Sequence, residues 1–436
     1  MTRARTSALV AVAGALLAVA PGAAAAQAAP SASASASAKK PKTVTVCRRG
    51  CAFSSIQKAV NRVRKGGTVR IRPGTYVQGV VVPASKDGLT ITGTTAARRV
   101  VLQGRGAKGA DGQPAQNGVF VDGADRVTIR NLTARNYPAN GFFVRNCDGY
   151  TMRGLVAAFN RAYGLYAFNC VGGRMTRSRG FGHGDSAFYV GQTPVQANPK
   201  RTRLDHLIAD RNVLGYSGTN SKYVDITDSE FFNNGAGVVP NTLSSEQFAP
   251  SEQGTITGNR IYWNNFNYFK ADSPVKPLPA ATEGFNYPTG AGVVLFGTTG
   301  WKVSGNDIFG NFKFGVLTVS DPTYAPATTI DNDLTGNRMG AANGDVNAVD
   351  FFSEGSGRGN CYADNGADAT FDLGAAPATQ LYPACAATRP ANGVDNAQLT
   401  ELAQYLVQKE TQEDSWVKHA HKAIPGRTPI DGQTGG

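Results

Sequence analysis

Starting at Gly118, a Gly-led apolar segment returns about every twenty-three residues: GVFV at 118, GFFV at 141, GLYA at 164 and AFYV at 187. Looser copies follow around Gly215, Gly237, Gly292 and Gly315. A fixed period of this length means that each repeat buries its apolar face only by stacking on its neighbours. Within one period, GVFV is followed by a polar bend, then VTIR, Asn131, LTAR, Asn136 and a return to Gly141. Each run is about four residues long and alternates with period two, which is strand patterning. The separators fall in columns. Asn131, Gly154, Arg177, His206, Asp228, Gly258, Gly305 and Asn332 form one, and Asn160, His183, Asn212, Asn234, Asn264 and Asn311 another. Asn, Asp and Gly tolerate left-handed backbone angles, so both columns are expected to be tight turns. Three short strands and three turns per coil give an all-β solenoid, a parallel β-helix with three sheets.

The stretch FSSIQKAVNRVRKGGTVRIRPGTY resembles the opening of right-handed parallel β-helix proteins of the pectin-lyase-like superfamily, in which a capping helix precedes a strand ending in PGTY. The matching positions are Ile56, Gln57, Ala59, Gly67, Thr68, Val69, Pro73, Gly74 and Tyr76, and the resemblance spans about Phe53 to Cys361. It implies a right-handed coil. Members of the superfamily include pectate lyases, pectin esterases, alginate lyases and epimerases, polygalacturonases and non-enzymatic adhesins, and none of their catalytic signatures is intact in this chain. Ser54 or Ser55 can cap a helix that turns Ile56, Val60 and Val63 onto the open end of the coil.

The organisation reads as a secretory signal over 1–28, a disordered linker over 29–46, the β-helix over 47–385, and a C-terminal helix with flexible tail over 386–436. The signal rests on MTRAR followed by an apolar run and an Ala-rich stretch. That run is too short to span a bilayer, so the expected location is secreted. NAQLTELAQYLVQKE, from Asn396 to Glu410, is helix-like, with Leu399, Leu402, Ala403 and Leu406 on one face.

Six cysteines in an exported chain favour disulfides. Cys147 and Cys170 occupy the same place in consecutive coils, and strands about 4.8 Å apart fall inside the Cα range of a disulfide. Buried free thiols are the alternative. Cys47–Cys51 would close a loop before the capping helix, and Cys361–Cys385 would pin the tail.

Lys and Arg number 44 against 31 Asp and Glu. Without Arg3 and Arg5 of the signal the balance is 42 to 31, near +11. This favours an acidic partner, an anionic polysaccharide for an exported chain, or else only a solvated basic face. Nucleic acid is not expected, since no binding motif for it is present. Arg203 and Asp225 share a column and are expected to pair. A monomer is expected.

Alternation turns Val119, Phe142, Leu165 and Phe188 inward, and Phe120, Phe143, Tyr166 and Tyr189 outward on four coils. Such a stripe either binds sugar rings or is covered by a loop or the C-terminal segment. Long loops at 192–201, 242–253 and 265–291 would wall a groove beside Tyr189. In FGHGDSAFYV, His183 is the candidate general base, with Asp185 beside it and Tyr189 as proton donor; a turn hydrogen bond is the other use of His183. Lys222 and Lys270 are candidate substrate ligands. Calcium is the one cofactor that the bordering carboxylates leave open, with no dense Asp motif marking a site, and the tail pair His419 and His421 lacks cysteine partners for zinc. The leading expectation is a lyase acting on an acidic polysaccharide, with epimerase or hydrolase close to it. The other readings are a non-catalytic carbohydrate-binding or cell-envelope protein, and a purely structural solenoid.

Overall fold

The computed structural model describes residues 40–407, apart from 270–272, 279–286, 322–323, 387 and 390. The expected signal, the tail histidines and Lys270 lie outside these residues. One turn of the chain runs from Asn117–Asp122 through Val127–Arg130 to Thr133–Arg135 and back to Asn140–Asp148. Repetition builds three parallel sheets of ten, twelve and ten strands, the right-handed triangular β-helix. They are called here sheets 1, 2 and 3 in the order in which a coil visits them. The twenty-three-residue register holds: Phe143 pairs with Phe120 and Tyr166, and Arg153 with Arg130.

The inward residues expected from alternation, Val119 through Val190, are at most 2 % exposed on the first four coils. Each such side chain stabilises the stack by about 1.5–3 kcal/mol. The leading Gly of the repeat has a steric cause. A Cβ at Gly237 would lie 2.4 Å from the Gly292 carbonyl oxygen and 2.9 Å from Asn264 Nδ2, so only a hydrogen fits where sheets 3 and 1 meet.

The two separator columns prove to differ in kind. Asn131, Gly154, Arg177, His206, Asp228, Gly258 and Gly305 all have positive φ, and the next member is Gly336. Asn332 belongs instead to a buried ladder with Asn360 and Asn392. In the second column the left-handed residues are one position earlier, at Phe159, Gly182, Arg211, Asn233, Trp263 and Gly310. Asn160, His183, Asn212, Asn234, Asn264 and Asn311 themselves turn their side chains into the coil. Each side-chain acceptor takes the backbone N–H of the preceding coil's member, as Asn264 Oδ1 does from Asn234 N at 3.3 Å and Asn311 Oδ1 from Asn264 N at 3.1 Å. These ladders satisfy the backbone groups that a turn would otherwise leave unpaired in the interior.

The ordered coil begins earlier than the expected 29–46 linker allows, because Thr43–Val46 is already the first strand of sheet 2. The capping helix is Ile56–Arg62, with Ser55 accepting from Lys58 N. It buries Ile56, Ala59 and Val60. Its Gln57 amide donates to Val81 O at 3.0 Å and accepts from Val81 N at 2.7 Å, which protects the free edge of sheet 1. All three expected disulfides form, Cys47–Cys51, Cys147–Cys170 and Cys361–Cys385. Asp225 is held by Arg201 rather than by its column neighbour Arg203.

Candidate functional site

The outer face of sheet 1 divides into an open and a covered half. In the first half, where the rings are partly exposed, Phe120 and Phe143 stack at 5.0 Å and Phe143 and Tyr166 at 4.3 Å, with nearly parallel ring planes. Tyr189 meets Tyr166 edge-on at 4.8 Å. Asn117 and Asn140 flank the stack through a 2.8 Å hydrogen bond, and Arg145 lies 5.0 Å over Phe120 while paired with Asp122. Beyond Tyr189 the outward positions become apolar. Leu214, Ala236, Val239, Phe314 and Leu317 pack under Phe266, Tyr268 and Val275 of the long insertion and under Leu402 and Tyr405 of the C-terminal helix, Asn396–Val407. That helix buries Leu402 and Tyr405 and exposes Ala403, because Tyr405 both accepts from Thr289 N and donates to Thr289 O. The covering loop and helix thus lie over the later coils, and Tyr189 is buried, whereas Phe120, Phe143 and Tyr166 stay partly exposed.

At the boundary the side chains converge. Asp185 Oδ2 accepts from the Tyr287 hydroxyl at 2.7 Å and from the Tyr163 hydroxyl at 3.2 Å. Its Oδ1 is buried near Ser186 Oγ without a well-formed hydrogen bond. Burial pushes the Asp185 carboxyl up to about 6, Glu246 adds to the rise, and the hydroxyl donors oppose it. Tyr189 reaches Glu246 Oε2 at 3.5 Å, and Gln192 Nε2 donates to the same oxygen at 2.9 Å. Burial raises the phenols of Tyr163 and Tyr189 well above their ordinary range. Two carboxylates and a set of protonated phenols thus meet where the open stripe ends, an arrangement suited to proton transfer. Tyr287 belongs to the insertion whose aromatics the sequence offered as a cover for the stripe, whereas Tyr163 was not singled out. Tyr163 precedes the Gly of its repeat, in the outward column of Asn117 and Asn140, and that column was the available signal.

His183 is not part of this cluster. It is fully buried in the Asn ladder, where its Nδ1 lies 3.3 Å from both the N and the O of Asn160. Desolvation lowers its imidazole to about 4. His183 thus replaces a ladder amide and faces the core, two residues from an Asp185 that faces outward. Lys222 is also corrected: it is 1 % exposed and held by Pro250 O at 2.6 Å and Glu252 at 2.9 Å, inside the turn after sheet 1. Asp185, Tyr189 and the stripe residues Phe120, Phe143 and Tyr166 do lie together.

Among the described residues, one group of three metal-ligating side chains occurs: Asp333, Cys361 and Cys385, with ligand atoms within 4.8 Å. The two sulfurs are joined as a disulfide and Asp333 is paired with Arg389, so this donor set does not suit calcium, which takes six to eight oxygens. No helix among the described residues is long and apolar enough to cross a membrane.

Comparison with known proteins agrees with this architecture. The family described as "Right handed beta helix region" matches residues 117–248. No curated protein matches the chain. Among solved structures, the A-module of mannuronan C-5 epimerase AlgE6 from Azotobacter vinelandii is similar, with 17% identity and TM-score 0.50 over 73% of this chain and 91% of that one. The AlgE4 A-module of the same organism has 16% identity and TM-score 0.49 over 71% and 89%. At such identities the likeness is one of fold. With three parallel sheets, ladders of buried amides and an end-capping helix, the chain is a right-handed parallel β-helix, and its residues 117–248 match the family of that description.

Proposed function

We propose that the chain is an exported protein that binds an acidic polysaccharide along Phe120, Phe143 and Tyr166 and acts on it, as a lyase, at the cluster of Asp185, Tyr189 and Glu246. The observation that carries this reading is the open aromatic stack running into a buried carboxylate–phenol cluster. Because these rings stack on one another along the solenoid axis, each coil turns an aromatic edge outward, and the edges together make an apolar strip on which the C–H face of a sugar can lie. β-Elimination on a uronate needs a base for the proton beside the carboxylate and an acid for the leaving oxygen. Asp185, ionised above about pH 6, is suited to the first role now that His183 is committed to the core. The protonated Tyr189 is suited to the second. For either to reach a sugar, the Tyr287 end of the insertion must move off Asp185.

A non-catalytic binder is the second reading. It is favoured by one contrast: Asp185 and Tyr189 are only 5 % and 3 % exposed, while Phe120, Phe143 and Tyr166 before them are partly exposed. The two are separated by incubating the mature protein with pectate, alginate and hyaluronan, with and without calcium, and following unsaturated ends and chain length. In either case Phe143→Ala with Tyr166→Ala is expected to weaken polymer binding about thirtyfold, at about 1 kcal/mol for each of the two aromatic contacts, and to lower the melting temperature as well, because the two rings also stack on each other and on Phe120. Unchanged binding would remove the stripe from the site.

A further inference from the structure

A second concavity lies beside the stripe, on the edge where sheet 3 hands the chain to sheet 1. Most turns on this edge are short. Two are the longest: 104–116, on the coil whose Val80 pairs with Val119 thirty-nine residues on, and 265–290, which together with the 242–254 loop sets Ala236 and its partner Ala291 fifty-five apart. The later excursion reaches back along the solenoid. Arg161 donates to Lys276 O at 3.0 Å and to Pro277 O at 3.2 Å, and Leu278 N donates to Gly184 O at 2.8 Å. The two excursions thereby close the ends of a cleft of about 660 Å³ whose floor is the tight turns at 136–138, 159–161 and 182–184. This volume falls within the roughly 300–1,000 Å³ of small-molecule sites.

Its chemistry is one-sided. Arg105, Lys108, Arg161 and Lys276 line it, and among the described residues no Asp or Glu does. Asp185, next to the lining residue Gly184, directs its carboxylate away into the hydroxyls of Tyr163 and Tyr287. The cleft also holds Phe159, 45 % exposed and the only aromatic among the exposed large apolar side chains of the described residues. An apolar ring face surrounded by cations matches a sugar that carries a carboxylate: the ring takes the C–H face, and the cations take the anion.

We propose that this cleft is a second binding site, separate from the aromatic stripe, for a short carboxylate-bearing oligosaccharide. It shares with the preceding reading only the acidic-sugar chemistry, and it does not require the cluster at Asp185 to be catalytic. A site of this kind on the flank of the groove would hold a branch or a released end of the polymer while the main chain lies on the stripe.

The test is calorimetric titration of the mature protein with trigalacturonate, and with uncharged maltotriose as control. The expected result is salt-sensitive binding of trigalacturonate and none of maltotriose. Arg105→Gln with Lys108→Gln should weaken it about tenfold or more, since hydrogen bonds to charged groups are the stronger class. Phe159→Ala should weaken it as well, and Phe143→Ala with Tyr166→Ala should leave it within about twofold of the parent, since the stripe lies on another face. Arg105 and Lys108 are exposed, so their exchange is not expected to unfold the coil, and the melting temperature checks this. Undiminished binding by the Arg105/Lys108 variant, loss in the stripe variant alone, or no binding by the parent would each overturn the proposal. The stripe reading is judged separately, from binding of the long polymer to the stripe variant.

Discussion

Asn264→Ala is expected to destabilise the coil by about 4 kcal/mol, among the larger single-site losses. Asn264 is fully buried, its Nδ2 donates to Phe231 O at 3.1 Å and to Asn311 Oδ1 at 3.2 Å, and its Oδ1 accepts from Asn234 N at 3.3 Å and Asn234 Nδ2 at 3.1 Å. Truncation orphans partners on both neighbouring coils, and each buried unpaired group costs about 1–3 kcal/mol. A suitable control is Arg135→Ala, which breaks an exposed hydrogen bond to Gln103 at 2.7 Å and is expected to cost under about 0.5 kcal/mol. The comparison is read from denaturant midpoints. Equal midpoints for the two variants would mean that water enters the coil and the ladder contributes little.

The ladder also shows where sequence reading succeeds and where it stops. Strand alternation inverts the side chain at every residue, so the outward stack of Phe120, Phe143 and Tyr166 and the pairing of Cys147 with Cys170 followed from period alone. Turns have no such rule. His183 and Asp185 are two residues apart, yet a left-handed Gly182 rotates the first into the core, and only the contacts show it. Lys222 failed for the same reason, since it lies in a turn whose Glu252 partner comes from a loop one coil later. The covering of the second half was partly legible: the outward positions change from Asn117, Asn140 and Tyr163 to Leu214, Ala236 and Phe314, and an apolar outer face needs a partner. A loop and the C-terminal segment were the candidates and both pack there; which coils they would cover was not legible, because the contact between Leu402, Tyr405 and sheet 1 joins residues far apart in the chain.

Asp185→Asn is expected to abolish most turnover of whichever polymer the protein degrades, by about 10²–10⁴-fold, the range for a positioned acid or base. The amide oxygen can still accept from Tyr287 and Tyr163, so the fold should persist. The pH dependence gives a second, independent readout. As a base, Asp185 works when ionised, so the parent's rate should rise as pH increases through about 6. Stability should move in the opposite direction. The folded carboxyl is raised above its ordinary 3.8 by burial, so the unfolded state releases its proton first, and the stability linked to this group is full below pH 3.8 and lost as pH rises through about 6. A shift of about two units corresponds to something on the order of 3 kcal/mol. His183 is held neutral by burial and contributes the opposite slope, losing stability as pH falls from 6.5 through about 4, but it is present in both proteins. The difference between parent and Asp185→Asn in unfolding free energy, followed from pH 4 to 8, therefore isolates Asp185. A flat difference would show that its carboxyl is ionised without penalty, and full turnover in the variant would take the chemistry away from this cluster and leave the open stripe as a binding surface.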